Sequence, residues 1–236
     1  EKEIIRCISS IINSKPKVSY EIIIVDNDQD SKLGNLAKQF IQVKYIKSSK
    51  NIGYGAGNNL GVKYASGNYL FFLNPDTLLL DNKLNKLINF IETKNDVGAI
   101  APLLLDSKGF AYPQGNRNLG IKEGIVGLSL INKIFPNNKI SREYFLSGWN
   151  RSSLKEVDVI PGTAFIIKKS LFEKIGGFDE KFFLFFDEFD LCKRIKKLGY
   201  KLYINPISKV MHIWGGSTKK SSGIKKIFNN SRFYYF

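Results

Sequence analysis

The chain has 236 residues, is 43% apolar, and carries 36 Lys and Arg against 21 Asp and Glu, a net charge of +15. That length suits one large α/β domain or two small ones around a sizeable core. Its two cysteines exclude a disulfide framework and read as buried residues of a reducing compartment. No run reaches the roughly 18 apolar residues of a membrane span and no signal-peptide pattern is present, so the expected location is cytoplasmic.

Ile4, Ile5, Ile8, Ile11 and Ile12 repeat at helical spacing, and 20–26 is an apolar run of the kind buried on both faces of a sheet. A polar helix over about 31–40, a short strand over 43–46, a helix over 56–66 and a second buried strand over 69–73 follow. Leu84, Leu87, Ile88 and Ile91 mark a helix, with a strand over 97–101 after it. From 106 to about 151, Gly, Asn, Pro and single aromatics displace any period, and the apolar run 125–135 reads as a small helical flap. Strands over 157–160 and 164–168, a helix over about 187–198, and strands over 201–204 and 209–212 complete the pattern. Such βαβ alternation predicts a mostly parallel, doubly wound central sheet flanked by helices. The chain opens inside a helix, so the first strand of such a sheet is expected to lie outside these residues. No repeat or low-complexity linker divides the sequence, and one domain is expected.

Several chemistry-bearing pieces fall at strand ends, where open α/β sheets place their ligands. Asp26 and Asn27 close the first strand, with groups suited to a base or ribose. Asn74-Pro75-Asp76 closes another, and a carboxylate there can hold Mg²⁺ or Mn²⁺, hard ions that often bridge to phosphates. Asn51, Gly53 and Asn58 belong to a glycine-rich helix entry that permits close backbone approach, although Asn58 breaks the dinucleotide fingerprint. His212, the only histidine, ends a strand before Trp214-Gly215-Gly216-Ser217 and could meet a metal or a diphosphate oxygen. Asp179, Glu180, Asp187, Glu188 and Asp190 are interleaved with Phe178, Phe182, Phe183, Phe185, Phe186 and Phe189. Apolar walls penalise the charged form of an acid and raise its pKa toward the range a general base needs. Glu188 lies on the Leu191 and Cys192 side of its helix, whereas Asp190 is spaced to pair with Arg194.

In order and spacing, these pieces resemble family-2 glycosyltransferases of the nucleotide-sugar-binding GT-A fold, in their rhamnosyltransferase-like branch. The likeness runs through Val25-Asp26-Asn27, Asn51 to Asn58, Leu73-Asn74-Pro75-Asp76-Thr77, Pro161-Gly162-Thr163-Ala164, Gly176-Gly177-Phe178-Asp179-Glu180, Asp187-Glu188 and His212. It implies an inverting, metal-assisted transfer of a sugar, rhamnose by resemblance, from a dTDP- or UDP-linked donor to a glycan or lipid-linked acceptor. Asp26, Asn27, Asn51, Gly53, Asn58 and Asn74 would contact the donor, and Asp76 and His212 would hold Mg²⁺ or Mn²⁺. Glu188 or Asp187 would be the base: relatives show Glu-Asp where this chain has Asp-Glu. Asn74 stands where many relatives carry the first acid of a metal-binding motif, and with the inverted pair it keeps a catalytically inactive homologue as the alternative. A sugar-nucleotide pyrophosphorylase would need a glycine-rich N-terminal loop ending in Arg and Lys, which is not found here.

After Asp190 the chain has eleven Lys or Arg and no Asp or Glu. Ile224, Ile227, Phe228 and 233–236 mix with Lys225, Lys226 and Arg232, an amphipathic composition suited to an anionic membrane surface. A polyanion- or membrane-binding module is therefore the reading from another class. No nucleic-acid motif organises these cations, and no nucleic-acid partner is expected. The expected division is a catalytic domain over 1–220, with 106–155 as its variable acceptor-side segment, and a basic C-terminal segment over 221–236 docked on the inner face of the cell membrane.

Overall fold

A computed structural model describes residues 1–127, 134–135, 138–213 and 223–236. In chain order it contains α1 (Lys2–Ser14), β1 (Ile22–Asp26), α2 (Leu33–Ala37), β2 (Val43–Lys47), α3 (Tyr54–Val62), β3 (Tyr69–Leu73), β4 (Thr77–Leu79), α4 (Leu84–Glu92) and β5 (Val97–Leu105). Then come α5 (Ile121–Gly127), α6 (Lys139–Tyr144), β6 (Lys155–Val157), β7 (Ala164–Lys168), α7 (Lys169–Lys174), α8 (Asp187–Lys197), β8 (Lys201–His212) and α9 (Ile224–Tyr235).

β1 and β2 form a parallel pair. The main sheet runs β3-β7-β5-β8-β4, with β6 also on β8. It is mixed rather than mostly parallel: β7 is antiparallel to both neighbours, β4 and β6 are antiparallel to β8, and only β5 and β8 run together. A run buried on both faces has the same composition in either direction, so apolarity alone carries no sign of strand polarity.

Alternation along the strands sorts the core into two layers. Ala99, Ala101, Phe165, Ile167, Leu202 and Ile204 face Leu191 and Ile195 of α8 and Leu171 and Phe172 of α7. Ile100, Leu104, Ala164, Ile166 and Val210 face Leu84, Leu87 and Ile91 of α4. Covering both faces in this way defines an α/β layer structure. Ile8 of α1 packs with Ile24, Leu33 and Ala37 in a third cluster around the β1–β2 pair. β1 is less enclosed than its apolar run suggests, with Ile24 and Asp26 its buried positions.

The strands expected at 201–204 and 209–212 are one strand, β8, continuous through Pro206. Its register against β5 slips there, from Pro102 opposite Asn205 to Leu103 opposite Lys209. The bulge accommodates a residue that has no N–H to give the ladder. Register then fixes the functional edge: Leu73 lies opposite Ala164, and Thr77 opposite His212. The end of β3, the loop before β7 and the end of β8 therefore share one side of the sheet.

Candidate active site

The turn after β3 is held from three directions. Asn74 donates its backbone N–H to the Thr163 carbonyl at 2.9 Å, and Thr77 donates its hydroxyl to the Asn74 carbonyl at 2.6 Å. Beneath it, α1 presents Cys7, whose Sγ lies 3.8 Å from the Asn74 carbonyl and 3.7 Å from the Thr77 hydroxyl. Burial pushes the Cys7 thiol up to about 11, with Asp76 adding to the rise, so it stays a neutral packing group. Ser10, one turn further along α1, accepts the Leu79 N–H at 3.0 Å. On this support Asp76 Oδ1 lies 3.2 Å from His212 Nε2, and the Asp76 carbonyl accepts the Ile213 N–H at 2.8 Å. The Tyr112 ring lies 6.1 Å from His212.

Asp26 is buried at the end of β1, where Tyr45 donates to it at 2.7 Å, the Asp28 N–H at 3.0 Å and Lys47 at 3.4 Å. Burial alone would raise this carboxyl; the Tyr45, Asp28 and Ser31 hydrogen bonds and the Lys47 charge outweigh it and hold the group below its ordinary value. Asn27 reaches from the same strand end to the Gly53 carbonyl at 3.1 Å, while Asn51 accepts the Gly53 N–H at 3.1 Å and Asn58 caps the Tyr54 carbonyl at 3.0 Å. Gly53 has φ +87°, and a Cβ there would strike the Phe183 carbonyl, which accepts the Tyr54 N–H. The glycine entry is thus clamped to the aromatic loop ahead of the acid pair.

Phe185 and Phe186 take left-handed φ values of +70° and +65° immediately before α8. Such a conformation is strained for aromatic residues and persists only where the surroundings over-determine it. It delivers Asp187, buried, and Glu188, partly buried, into the first turn of α8. Burial raises the Glu188 carboxyl well above its usual range, and the neighbouring Asp187 charge and hydrogen bond add to the rise. Asp187 is also raised, again chiefly by burial. Each of the two carboxyls thus holds a proton more tightly than an exposed acid would. Asp190 pairs instead with Arg194 at 2.6 Å, and Arg194 also bonds the Ile175 and Gly177 carbonyls at 2.7 Å.

The loop 161–163 ties these pieces together. Tyr54 donates its hydroxyl to the Gly162 carbonyl at 2.6 Å, and a Cβ on Gly162 would stand 3.3 Å from Glu188 Cβ. The next residue, Thr163, is the one that accepts from Asn74. Among the described residues, three buried oxygens here have no hydrogen-bond partner: Asn27 Oδ1, Asn74 Oδ1 and Asp187 Oδ2. Buried unpaired acceptors are costly and rare, so their concentration at one edge points to a ligand-binding role. Among the described residues no group of three or more His, Cys, Asp or Glu forms a metal cage. Asp76, His212 and the free Asn74 oxygen fit a divalent ion that takes its remaining ligands from water or from a bound phosphate.

Sequence reasoning did not single out Asn59, Tyr144 or Tyr235. Asn59 clamps the Phe178 backbone, accepting its N–H at 2.9 Å and donating to its carbonyl at 2.8 Å. An asparagine directly after Gly57-Asn58 was the one available signal. Tyr144 and Tyr235 come from α6 and α9 and carried none. Trp214, Gly215, Gly216 and Ser217 lie outside the described residues.

A family model described as "Glycosyl transferase family 2" matches residues 1–176. The chain is 28% identical over 202 residues to rhamnosyltransferase WbbL of Escherichia coli K12, covering 82% of this chain and 72% of that protein. It is 22% identical over 227 residues to N-acetylglucosaminyl-diphospho-decaprenol L-rhamnosyltransferase of Mycobacterium tuberculosis, covering 91% and 73%. Among solved structures, GalNAc-T7 with UDP, GalNAc and Mn²⁺ superposes with a TM-score of 0.66 at 18% identity, covering 99% of this chain and 47% of that one. The chain thus spans about half the length of that structure and shares its GT-A fold. With the family match running from α1 through the Asn74 turn and past loop 161–163 to α7, the chain belongs to glycosyl transferase family 2.

Proposed function

We propose that this chain transfers a sugar, with inversion, from a nucleoside-diphosphate donor to a hydroxyl of a cell-surface glycan or lipid-linked acceptor. The observation that carries the reading is the bridge made by loop 161–163. It joins the Asn74–Asp76 turn, a fit for a metal-bound diphosphate, to Glu188, a carboxyl raised by burial above its ordinary range.

The donor enters at the ends of β1 and β3. Asp26, kept ionised, and Asn27 are placed for the base and ribose, while Asn51, Gly53 and Asn58 let the nucleotide lie close to backbone. Asp76 and His212, with Asn74, would hold Mg²⁺ or Mn²⁺. When bound, that ion stabilises the negative charge that builds on the departing diphosphate. Inversion requires the acceptor oxygen to attack the anomeric carbon from the face opposite the diphosphate as the carbon–diphosphate bond breaks. The acceptor's proton passes to the Asp187–Glu188 pair, whose affinity for a proton burial raises. Glu188 is the member facing loop 161–163 and Tyr54; Asp187 sits behind it, buried, and keeps its neighbour's pKa high. The names of the two rhamnosyltransferases favour rhamnose as the sugar, and the UDP in the GalNAc-T7 structure keeps a UDP-linked donor beside a dTDP-linked one.

The acceptor side falls to 106–155, whose Tyr144 packs in one cluster with Phe186, next to the acid pair. A lipid-linked acceptor requires the chain to work at a membrane. No helix among the described residues is long and apolar enough to cross one. Exposed Ile121 and Ile125 on α5 adjoin exposed Phe233 and Phe236 on α9, because the Phe236 ring packs over Gly124. Lys122, Lys225 and Lys226 flank this face, and its charge suits an anionic bilayer.

The test is thermal unfolding with dTDP, UDP and GDP, each with and without Mn²⁺. One nucleotide should raise the melting temperature in a metal-dependent way, and Asp76→Ala should remove that dependence. Equal stabilisation of wild type and Asp76→Ala by nucleotide and Mn²⁺ would overturn the assignment of the turn.

A further inference from the structure

Three tyrosines from three separate elements pack on the residues next to the acid pair. Tyr54 comes from α3, Tyr144 from α6 and Tyr235 from α9, and each phenol is raised chiefly by burial; the Asp187 and Glu188 charges add to the rise at Tyr54, that of Glu188 at Tyr144, and those of Asp190, Cys192 and last Glu188 at Tyr235. All three therefore remain protonated at neutral pH. Tyr54 is fixed by its bond to the Gly162 carbonyl, and Tyr144 lies in one buried cluster with Leu119, Phe182 and Phe186. Tyr235 is different in origin, because it arrives on the last helix of the chain.

α9 does more than present an amphipathic face to solvent. Its Phe228 lies 5.5 Å from Phe185 and 5.3 Å from Phe186, the two residues held at positive φ. Tyr235 lies 5.5 Å from Phe186 and 6.1 Å from Phe189. Ser231, buried, donates to the Leu184 carbonyl at 2.8 Å, and Tyr234 donates to Asp179 at 2.8 Å. The helix is therefore bonded or stacked to the loop at 179, 182, 184, 185 and 186, just where the backbone turns into Asp187.

We propose that α9 is a strap over the strained Phe185–Phe186 turn and that Tyr235, stacked on Phe186 and Phe189 to either side of the Asp187–Glu188 pair, is a positioning residue for that pair and shields it from water on the α9 side. Phe228 and Ser231 hold the turn, and Tyr235 supplies the lid. The inference rests on the reading of Glu188 as the base. The other titratable groups that interact with Glu188 are Asp187 and Cys192 on its own helix, Tyr54 on α3 and Tyr144 on α6. Arg194 is tied to Asp190, and Lys193 lies over the Tyr235 ring at 5.3 Å, so neither cation is free to replace the lid.

The sign follows from solvation. Water admitted beside Glu188 favours its charged form, so opening the lid lowers its pKa. The experiment is a carboxyl-carbon NMR titration of the full chain labelled at Glu, with the Glu188 resonance assigned by its loss in Glu188→Gln. Tyr235→Ala should move the Glu188 midpoint down by roughly 1 pH unit. Tyr235→Phe, which keeps the ring and loses only the hydroxyl, should restore most of the wild-type value. Phe228→Ala should shift the midpoint in the same direction as Tyr235→Ala. An unchanged midpoint in Tyr235→Ala, in a chain whose near-ultraviolet dichroism remains native, would overturn the inference. Were Tyr235→Ala to lose native dichroism, Phe228→Ala, which keeps Tyr235 and frees the Phe185–Phe186 turn, carries the same test, and an unchanged midpoint there overturns the inference. Failure of the base reading looks different: Glu188→Gln would then retain turnover whether or not Tyr235 tunes the midpoint.

Discussion

Glu188 concentrates the conflict between stability and chemistry in this chain. Its carboxyl keeps a proton to higher pH when folded than when unfolded. Its contribution to stability is therefore fully present below the unfolded pKa of about 4.3 and is lost as pH rises through the folded value. Glu188→Gln is neutral at every pH and escapes that loss. The difference in melting temperature, variant minus wild type, should accordingly grow from pH 5 to pH 8; a flat difference would show that the folded carboxyl is not raised. Nearby, Gly53 combines φ +87° with no room for a Cβ beneath the Phe183 carbonyl. Gly53→Ala should cost about 1–3 kcal/mol in urea unfolding, through backbone strain and displacement of the aromatic loop. Loss below a few tenths would mean that the loop yields freely.

At the scale of elements, the site is assembled by short segments stitched across long sequence separations. Asn59 on α3 holds the Phe178 backbone 119 residues away with two hydrogen bonds. Asn59→Ala strands both groups and should destabilise by about 1–3 kcal/mol, with the change read in the urea midpoint. An unchanged midpoint would show that α3 and the loop hold together without it. This dependence on long-range contacts also explains what could be read beforehand. The repeat of isoleucines in α1, the 69–73 and 164–168 strands and the Leu191–Ile195 face of α8 were legible because burial imposes their periods locally. β4, three residues after a proline turn, and α7, six residues long, are too short to develop a period. Sheet direction was misjudged because β7 reads equally well either way. Asp76, His212 and Glu188 were legible as strand-end or helix-start residues of reactive type. Tyr144 and Tyr235 were not, since nothing local distinguishes a tyrosine beside a carboxylate from any other half-buried ring.

For the whole molecule, charge and exposed apolar surface set a prediction separate from catalysis. The α5–α9 face should bind vesicles containing phosphatidylglycerol more tightly than vesicles of phosphatidylcholine alone, and the preference should weaken as salt screens it. Lys225→Glu with Lys226→Glu should reduce the preference, while equal sedimentation with both lipids would contradict the docking surface. Loop 161–163 joins the Asn74–Asp76 turn to Glu188 as two separate groups, so donor binding and proton transfer should separate in kinetics. The measurement that tests this most directly compares Glu188→Gln with wild type for nucleoside-diphosphate release from dTDP-rhamnose and UDP-sugars, alongside metal-dependent nucleotide binding by thermal shift. Binding within about twofold of wild type with turnover lower by roughly 10²–10⁴ is the expected result for loss of a general base. Undiminished turnover in Glu188→Gln would contradict the central claim that this acid pair receives the acceptor's proton.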